Sequence, residues 1–212
     1  LDGLRYDRHE RPKLVHRIDR YTSGVLLLAR SRSSARRLTS LFRSKDIYKT
    51  YWALTAGIPA PKEGIVDVAV KKTTNVGGEQ LVLPSKNGQR AITHYRTLEV
   101  LGNKIAWLSL HPVTGRTHQL RTHCAEVLEC PIYGDKKYMR ILPERLDPNL
   151  NRQLHLHARS IEIPLDENSA GQSKKLKIVA PLPEHMLSSW SKLGFEVNNN
   201  DDFFKSITDS KF

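Results

Sequence analysis

The chain is poor in the features that define several large classes of protein. It has only two cysteines in 212 residues. Cys124 and Cys130 are too few for a disulfide framework, and their spacing fits no zinc-binding pattern. No apolar run approaches the roughly 18 residues that a membrane-spanning helix needs, and we expect no signal peptide. These absences argue against membrane proteins and disulfide-rich secreted domains, and they favour a reducing compartment.

Motifs of the common cofactor-dependent enzymes are also missing. The sequence has no phosphate-binding P-loop, no glycine-rich dinucleotide fingerprint and no Gly-x-Ser-x-Gly elbow. His118 and His123 are five residues apart rather than the four that suit a helical zinc site. His155 and His157 fall on a predicted strand, where we expect them to be packed or hydrogen-bonded. We therefore expect no metal and no small-molecule cofactor.

Negative charge is scarce. The chain has 22 acidic residues against 34 lysines and arginines, which gives a formal net charge of +12. Such an excess attracts polyanions, so nucleic acid is the leading candidate partner. The alternative is that the charge only keeps the protein soluble. With 39% hydrophobic residues, the chain has enough apolar material for a core of its own.

One carboxylate lies within a basic turn at residues 15–24, VHRIDRYTSG. Asp19 is surrounded there by His16, Arg17 and Arg20, and a strand-like apolar run follows at 25–29. A carboxylate among cations stays ionised at neutral pH. It could then act as a nucleophile, as a base, or as one half of an ion pair.

A second basic cluster, TGRTHQLRTH, occupies residues 114–123. It begins a predicted helix over 117–128, for which Thr117 is a candidate cap. Because Arg116 and Arg121 are five residues apart, their side chains point in different directions. One could hold a phosphate while the other pairs with a carboxylate. The alternative is a solvated basic helix start.

A third cluster lies on a strand predicted over residues 48–56, YKTYWALTA. Lys49 and Tyr51 share one face of that strand, and Trp52 faces the other way. Tyr51 could stack on a base, transfer a proton, or simply pack.

The remaining pattern predicts many strands and few helices, without regular βαβ alternation. We expect an α+β fold with a mixed, mainly antiparallel curved sheet flanked by a few helices. The segment 71–90 is either an RNA-facing loop or a solvated hairpin. The other predicted elements are a strand–turn–strand unit over 14–29, a basic helix over 33–44 capped by Ser33, strands over 65–70, 91–100, 105–111, 154–163 and 176–180, and a closing helix over 183–193.

Together the three clusters resemble the RluA-type family of RNA pseudouridine synthases. The family signature His-Arg-Leu-Asp-x-x-Thr-Ser/Thr-Gly matches residues 16–24, with Ile18 in place of leucine. Lys-x-Tyr-x-Ala matches residues 49–53, and Thr-Gly-Arg-x-His-Gln-Leu-Arg-x-His matches residues 114–123. PIYGDKKY at 131–138 and LHLHA at 154–158 also look like family blocks. The likeness is greatest to the bacterial branch acting on large-subunit ribosomal RNA (RluC/RluD-like) and to its mitochondrial relatives.

The resemblance implies a reaction and a set of roles. The protein would isomerise uridines in RNA, most directly in large-subunit ribosomal RNA, to pseudouridine in ribosome biogenesis. Asp19 would be the catalytic carboxylate, Arg121 would pair with it, and Tyr51 would stack on the uracil and accept the final proton. The implied RNA-binding residues are Arg17, Arg20, Lys49, Arg116 and His118.

Several further expectations follow from the resemblance. A catalytic domain would cover residues 1–197, followed by a flexible tail over 198–212. The segment and the small S4-type domain that precede the signature in many relatives are not present, so we expect the N-terminal part to be missing. The protein would be monomeric, without membrane or cofactor partners, and located in a bacterial cytoplasm or, alternatively, in the mitochondrial matrix. The alternative function is that of a non-catalytic RNA-binding factor in ribosome assembly.

Overall fold

A computed structural model describes residues 2–5, 9–75, 77–139, 150–165 and 174–197. Within these residues most of the regular structure is β-sheet. The strands are β1 (Lys13–Leu14), β2 (Ser23–Gly24), β3 (Leu28–Ala29), β4 (Tyr48–Ala56), β5 (Glu63–Asp67), β6 (Val70–Thr74), β7 (Gln80–Pro84), β8 (Ile92–Leu101), β9 (Ile105–Pro112), β10 (Leu156–Pro164) and β11 (Lys175–Val179). The helices are α1 (Arg32–Ser44), α2 (Gln119–Thr122), which continues into a π-helical turn at His123–Val127, and α3 (Glu184–Leu193); a 3₁₀ turn covers Asp2–Leu4.

The central sheet has the strand order β11-β10-β4-β9-β8-β5, and every neighbouring pair in it is antiparallel. The short strand β2 adds to β10 in the parallel direction. Two small antiparallel sheets, β1–β3 and β6–β7, lie apart from it. This arrangement confirms the α+β class and the mainly antiparallel sheet.

The two faces of β4 and β9 bury different layers of the core. On one face Trp52 and Trp107 pack with Trp190 of α3, and the Trp107 and Trp190 rings meet edge to face at 5.5 Å. On the other face Leu108 packs with Leu120 of α2. Successive side chains of each strand point to opposite faces of the sheet, so apolar side chains are buried in the core on both faces.

Most of the longer strands and helix α3 follow the sequence prediction. β4 has the predicted bounds, β8 and β9 form the predicted pair, and α3 begins one residue later than expected. Most of the β6–β7 hairpin lies in the segment 71–90, as the hairpin alternative predicted. The hairpin is not solvated throughout, because Leu81 and Val82 of β7 are buried. No helix among the described residues has the length and apolar character needed to cross a bilayer. The predicted tail, 198–212, lies outside the described residues.

The cap of α1 was predicted wrongly. Ser31, not Ser33, caps the helix: its backbone is extended, its hydroxyl accepts a hydrogen bond from the Ser34 amide at 3.1 Å, and the Ser34 hydroxyl accepts one from the Ser31 amide at 3.1 Å. This reciprocal capping box satisfies two amide groups that the helix leaves unpaired. The run of serines hid the start of the helix because each could serve as a cap.

The helix predicted over 117–128 was also partly wrong. His118 has a left-handed backbone with φ 51°, so the helix begins after it, and Thr117 lies outside it. Only Gln119–Thr122 is α-helical, and the chain then widens into a π-helical turn at His123–Val127. Capping by Thr117 is therefore incorrect, and no side chain caps α2.

Candidate active site

The three sequence clusters meet around one cavity of about 430 Å³. The basic turn, the end of α1, the start of β4 and the loop after β9 each contribute part of its wall. The polar and charged side chains among the described lining residues are His16, Arg17, Asp19, Thr22, Arg43, Lys45, Lys49, Tyr51, Thr114, Arg116, Thr117 and Gln119.

The turn that carries Asp19 is fixed to the central sheet. The Thr22 amide donates to the Asp19 carbonyl at 3.0 Å. The next residue, Ser23, has its hydroxyl 2.8 Å from His157 Nδ1 on β10. Gly24 has φ 111°, and a Cβ placed there would lie 2.2 Å from the Ala158 carbonyl oxygen. Only glycine allows this close approach, which places the turn at a defined distance from the sheet.

Asp19 is the only carboxylate among the described residues that line the cavity. The same wall carries five basic side chains, which are those of Arg17, Arg43, Lys45, Lys49 and Arg116. One negative group among five positive ones suits a polyanionic ligand whose reacting part must meet a carboxylate.

His16 does not add to this positive charge. Burial, followed by the charge of Lys49, lowers the pKa of His16 to about 4, so its ring is neutral at pH 7. Its Nε2 accepts the Leu27 amide at 2.8 Å, and its ring stacks on Phe42 at 4.7 Å. His16 therefore joins the turn to Leu27, the residue before β3, and to α1, instead of acting as one of the cations around Asp19.

Lys49 and Tyr51 lie on the same face of β4 and both reach the cavity, as the strand alternation predicted. Burial raises the pKa of Tyr51 to about 12, with a further contribution from the charge of Asp19. The Tyr51 phenol and the Asp19 carboxylate are thus close enough to interact electrostatically. Burial lowers the pKa of Lys49 to about 8, so its charge is conditional near neutral pH.

The carboxylate partner of Arg121 is not the predicted one. Arg121 donates from Nε and Nη2 to the two carboxylate oxygens of Asp135, at 2.7 and 2.6 Å. Both side chains are almost completely buried, with exposed fractions of 6% and 0%. In the described part of the chain no ion pair joins Arg121 to Asp19. The predicted pair is therefore incorrect in this structure.

Asp19 nevertheless lies within electrostatic reach of Arg121. Burial lowers the pKa of Arg121, but Asp135 and then Asp19 more than offset this, so the pKa is raised overall. Asp135 is itself held by the amides of Lys137 and Tyr138, and the Tyr138 ring lies 5.1 Å from the Arg121 guanidinium carbon. Since Asp135 occupies Nε and Nη2, the guanidinium has a fixed orientation, and Arg121 is not among the described residues that line the cavity.

Gln119 organises the loop after β9, a role that was not predicted for it. Its side-chain oxygen accepts from the Thr114 hydroxyl at 2.7 Å and from the Arg116 amide at 3.0 Å. Its amide nitrogen donates to the Ile92 carbonyl and the Thr93 hydroxyl, both at 2.9 Å. One buried amide thereby fixes the loop that carries Arg116 to β8. Its place within the 114–123 motif was the available signal.

Other predicted residues lie outside the cavity wall. Arg20 is exposed at the corner of the turn, 5.4 Å from the centre of the Tyr21 ring. His118 lies with its Nδ1 2.9 Å from the Tyr138 hydroxyl, and neither residue is among the described lining residues. Asp135 was not predicted as a site residue, nor were Phe42 and Arg43 of α1 and Lys45 just after it, which line the cavity.

Comparison with known proteins gives consistent results. The family model described as RNA pseudouridylate synthase matches residues 1–126. The mitochondrial RNA pseudouridine synthase 3 of Oryza sativa subsp. japonica is 35% identical over 255 residues, covering 89% of this chain and 54% of that protein. The ribosomal large subunit pseudouridine synthase C of Rickettsia conorii is 40% identical over 171 residues, covering 80% of this chain and 54% of that protein. The chain spans about half the length of these curated relatives.

A solved structure supports the same assignment. Human RNA Pseudouridylate Synthase Domain Containing 4 superposes with a TM-score of 0.71 at 31% sequence identity, covering 90% of this chain and 78% of that one. The family model covers more than half of the chain, and both fold and sequence agree with it. The chain therefore belongs to the RNA pseudouridylate synthase family.

Proposed function

We propose that this protein isomerises specific uridines in RNA, in particular in large-subunit ribosomal RNA, to pseudouridine, with Asp19 as the catalytic carboxylate. The observation that carries the proposal is that Asp19 is the one carboxylate among the described lining residues of the cavity, whose other charged side chains there are cationic. A carboxylate in that setting can attack the sugar or base, or remove a ribose proton, while the surrounding cations bind the RNA backbone.

The reaction is an internal rearrangement. The bond between C1′ and N1 of uridine breaks, the uracil rotates, and a bond forms between C1′ and C5; C5 loses a proton and N1 gains one. Asp19 serves the cleavage of the glycosidic bond. Tyr51 faces the uracil and accepts the C5 proton. Because its pKa is about 12, Tyr51 is protonated in the resting site. As it accepts the C5 proton it therefore gives its phenolic proton to solvent water, and N1 takes from water the proton that it gains.

Arg121 acts from behind the carboxylate. Its guanidinium is held by Asp135, and its charge is close enough to interact with that of Asp19. We infer that it stabilises the negative charge of Asp19 in the buried complex, where water is excluded and the interaction between charges is stronger.

The target uridine must leave its stack to reach Asp19, because a base cannot rotate inside a helix. Unstacking costs a few kcal/mol, which contacts to phosphates offset. Arg17, Lys49 and Arg116 line the cavity and are placed to supply such contacts. Arg20 and His118 lie beside it and complete the proposed RNA-binding set.

The proposed target rests on the relatives. One of them is named as a ribosomal large subunit enzyme, and the positive charge of this chain suits a large structured RNA. The full protein should be incubated with large-subunit ribosomal RNA lacking pseudouridine, and the product mapped by carbodiimide modification followed by primer extension.

We expect new stops at one or a few uridines, and none when the RNA already carries the modification. A non-catalytic assembly factor would bind the same RNA without producing a stop. Binding without product, under conditions in which a family member such as the Rickettsia enzyme forms pseudouridine, would contradict the proposed function.

A further inference from the structure

Helix α1 is a surface helix, and Arg43 is the one arginine of it that lines the cavity among the described residues. Over Arg32–Ser44 it has the sequence RSSARRLTSLFRS, with four arginines and no acidic residue. None of its residues is fully buried. The helix attaches to the domain through half-buried apolar residues, of which Phe42 stacks on His16 at 4.7 Å. Its packing therefore explains its apolar side and leaves the four arginines unexplained.

The helix dipole acts differently on the arginines at the two ends of α1. Arg32 occupies the first helical position, where the partial positive charge of the helix dipole repels a cation. Such a charge destabilises a helix by about 0.3–1 kcal/mol, whereas an acidic residue there would stabilise it. The capping box of Ser31 and Ser34 supports this end instead. Arg43, in the last turn, lies at the end of the helix where a cation is favourable. The dipole therefore explains neither the cation at the first position nor the absence of acidic residues from the helix.

Two of the arginines are available for an external anion. Arg32 is paired with Glu10 at 3.1 Å, and Arg37 donates to the Pro164 carbonyl at 3.0 Å. Arg36 and Arg43 are both exposed, and among the described residues neither takes part in an ion pair. They are seven positions apart, so they lie on the same side of the helix, about 10 Å apart along its axis.

This cationic side leads directly into the cavity. Arg43 lines the cavity wall together with Phe42 and, just past the helix, Lys45. Arg36 lies two turns further from the cavity on the same side of α1. An RNA strand whose uridine occupies the cavity must continue over the rim, and this row of cations lies along one way out.

We propose that Arg36 and Arg43 of α1 bind successive phosphates of the RNA strand on one flank of the target uridine. This inference rests on the proposed function, since it takes the uridine in the cavity as its starting point. The contact is with the backbone, so it adds affinity and positions the strand without reading its sequence.

The test is the salt dependence of RNA binding. Each phosphate of a single strand that a cation neutralises contributes about 0.7 to the slope of log K against log salt concentration. Arg36→Gln should reduce the slope by about 0.7, and Arg36→Gln/Arg43→Gln by about 1.4. Arg36→Lys keeps the charge and should restore the slope. The matched control is Lys104→Gln, because Lys104 is exposed in the β8–β9 turn, at the opposite end of β9 from the cavity.

The RNA is shortened in a second arm. We expect the Arg36→Gln effect to disappear when the nucleotides on one side of the uridine are removed and to persist when those on the other side are removed. Helical content and melting temperature, measured by circular dichroism, confirm that each variant is folded.

Equal slopes for wild type, Arg36→Gln and Lys104→Gln would overturn the proposal. So would an Arg36→Gln effect that persists both when one flank of the RNA is removed and when the other flank is removed. The readout is binding, so it does not depend on turnover. Absence of pseudouridine formation by the wild type would contradict the proposed function alone, whereas slopes unchanged in the arginine variants would contradict the role of α1 alone.

Discussion

The environment of each charged side chain decides its role in the cavity. Asp19 is one carboxylate among cations, yet the arginine assigned to it by resemblance is paired with Asp135. Asp135 follows Arg121 by 14 residues and meets it only in the folded chain. Sequence could identify the two motifs that contain these residues, but it could not choose between two carboxylates for one guanidinium, since that choice depends on tertiary packing.

The Arg121–Asp135 pair gives a prediction on stability and activity. Arg121→Met leaves a buried, unpaired carboxylate and should destabilise the fold by about 3–5 kcal/mol, with loss of turnover. Arg121→Met/Asp135→Leu removes both charges and should recover most of the stability, while turnover stays absent. Urea unfolding and pseudouridine formation measure the two effects. A double variant as unstable as the single one, or one that recovers turnover, would be evidence against the assignment.

Lys49 gives a prediction on pH. Its pKa of about 8 means that the free protein loses this charge as the pH rises through 8. RNA affinity should therefore decline above pH 8. Lys49→Arg, which stays charged, should bind RNA equally well from pH 7 to pH 9. The measurement is the dissociation constant across that range at fixed salt. An unchanged wild-type affinity at pH 9 would show that Lys49 does not contact RNA in its charged form.

Short elements position the site more than long ones do. Strand β4 was predicted with its observed bounds because aromatic and β-branched residues follow one another along it. The two-residue strand β2 could not be predicted, since its pairing with β10 is set by residues more than 130 positions away. The left-handed His118 likewise shortened the predicted helix, because nothing in the local sequence marks a histidine for that backbone conformation.

Gly24→Ala tests the contribution of β2. A Cβ at residue 24 would lie 2.2 Å from the Ala158 carbonyl oxygen, so β2 must move from β10 and carry Asp19 with it. We expect turnover to fall at least tenfold, together with a loss of stability. Gly102→Ala is the control, because Gly102 also has a positive φ but a Cβ there meets nothing within 4 Å. Similar activity losses in both variants would indicate backbone strain alone.

At the scale of the whole molecule, the fold keeps several histidines neutral. Burial is the main cause that lowers the pKa of His16, His111 and His155 to about 4. His155 lies in the core, with its Nε2 2.7 Å from the Ser189 hydroxyl, which confirms that it is hydrogen-bonded. Sequence predicted this hydrogen bonding but not the depth of burial, which depends on how α3 covers the sheet.

These histidines predict loss of stability in acid. These histidines take up protons near pH 6.5 in the unfolded chain but only near pH 4 in the folded protein. Their neutral form therefore contributes fully to the free energy of unfolding above pH 6.5, and this contribution is lost as the pH falls towards 4. A shift of this size corresponds to at most about 3 kcal/mol for each histidine. The melting temperature should fall steadily from pH 7 to pH 5. The His155→Gln variant should show a smaller pH dependence than wild type, and an equal dependence would contradict this source.

The central claim concerns Asp19, and one assay tests it directly. Wild type, Asp19→Asn and the control Asp46→Asn, whose carboxylate is exposed and outside the cavity, are each incubated with the same uridine-containing RNA. RNA binding, folding and pseudouridine formation are then measured together. The proposed mechanism predicts that Asp19→Asn folds and binds RNA but forms no pseudouridine, whereas Asp46→Asn behaves as wild type. Pseudouridine formed by Asp19→Asn at the wild-type rate would contradict it.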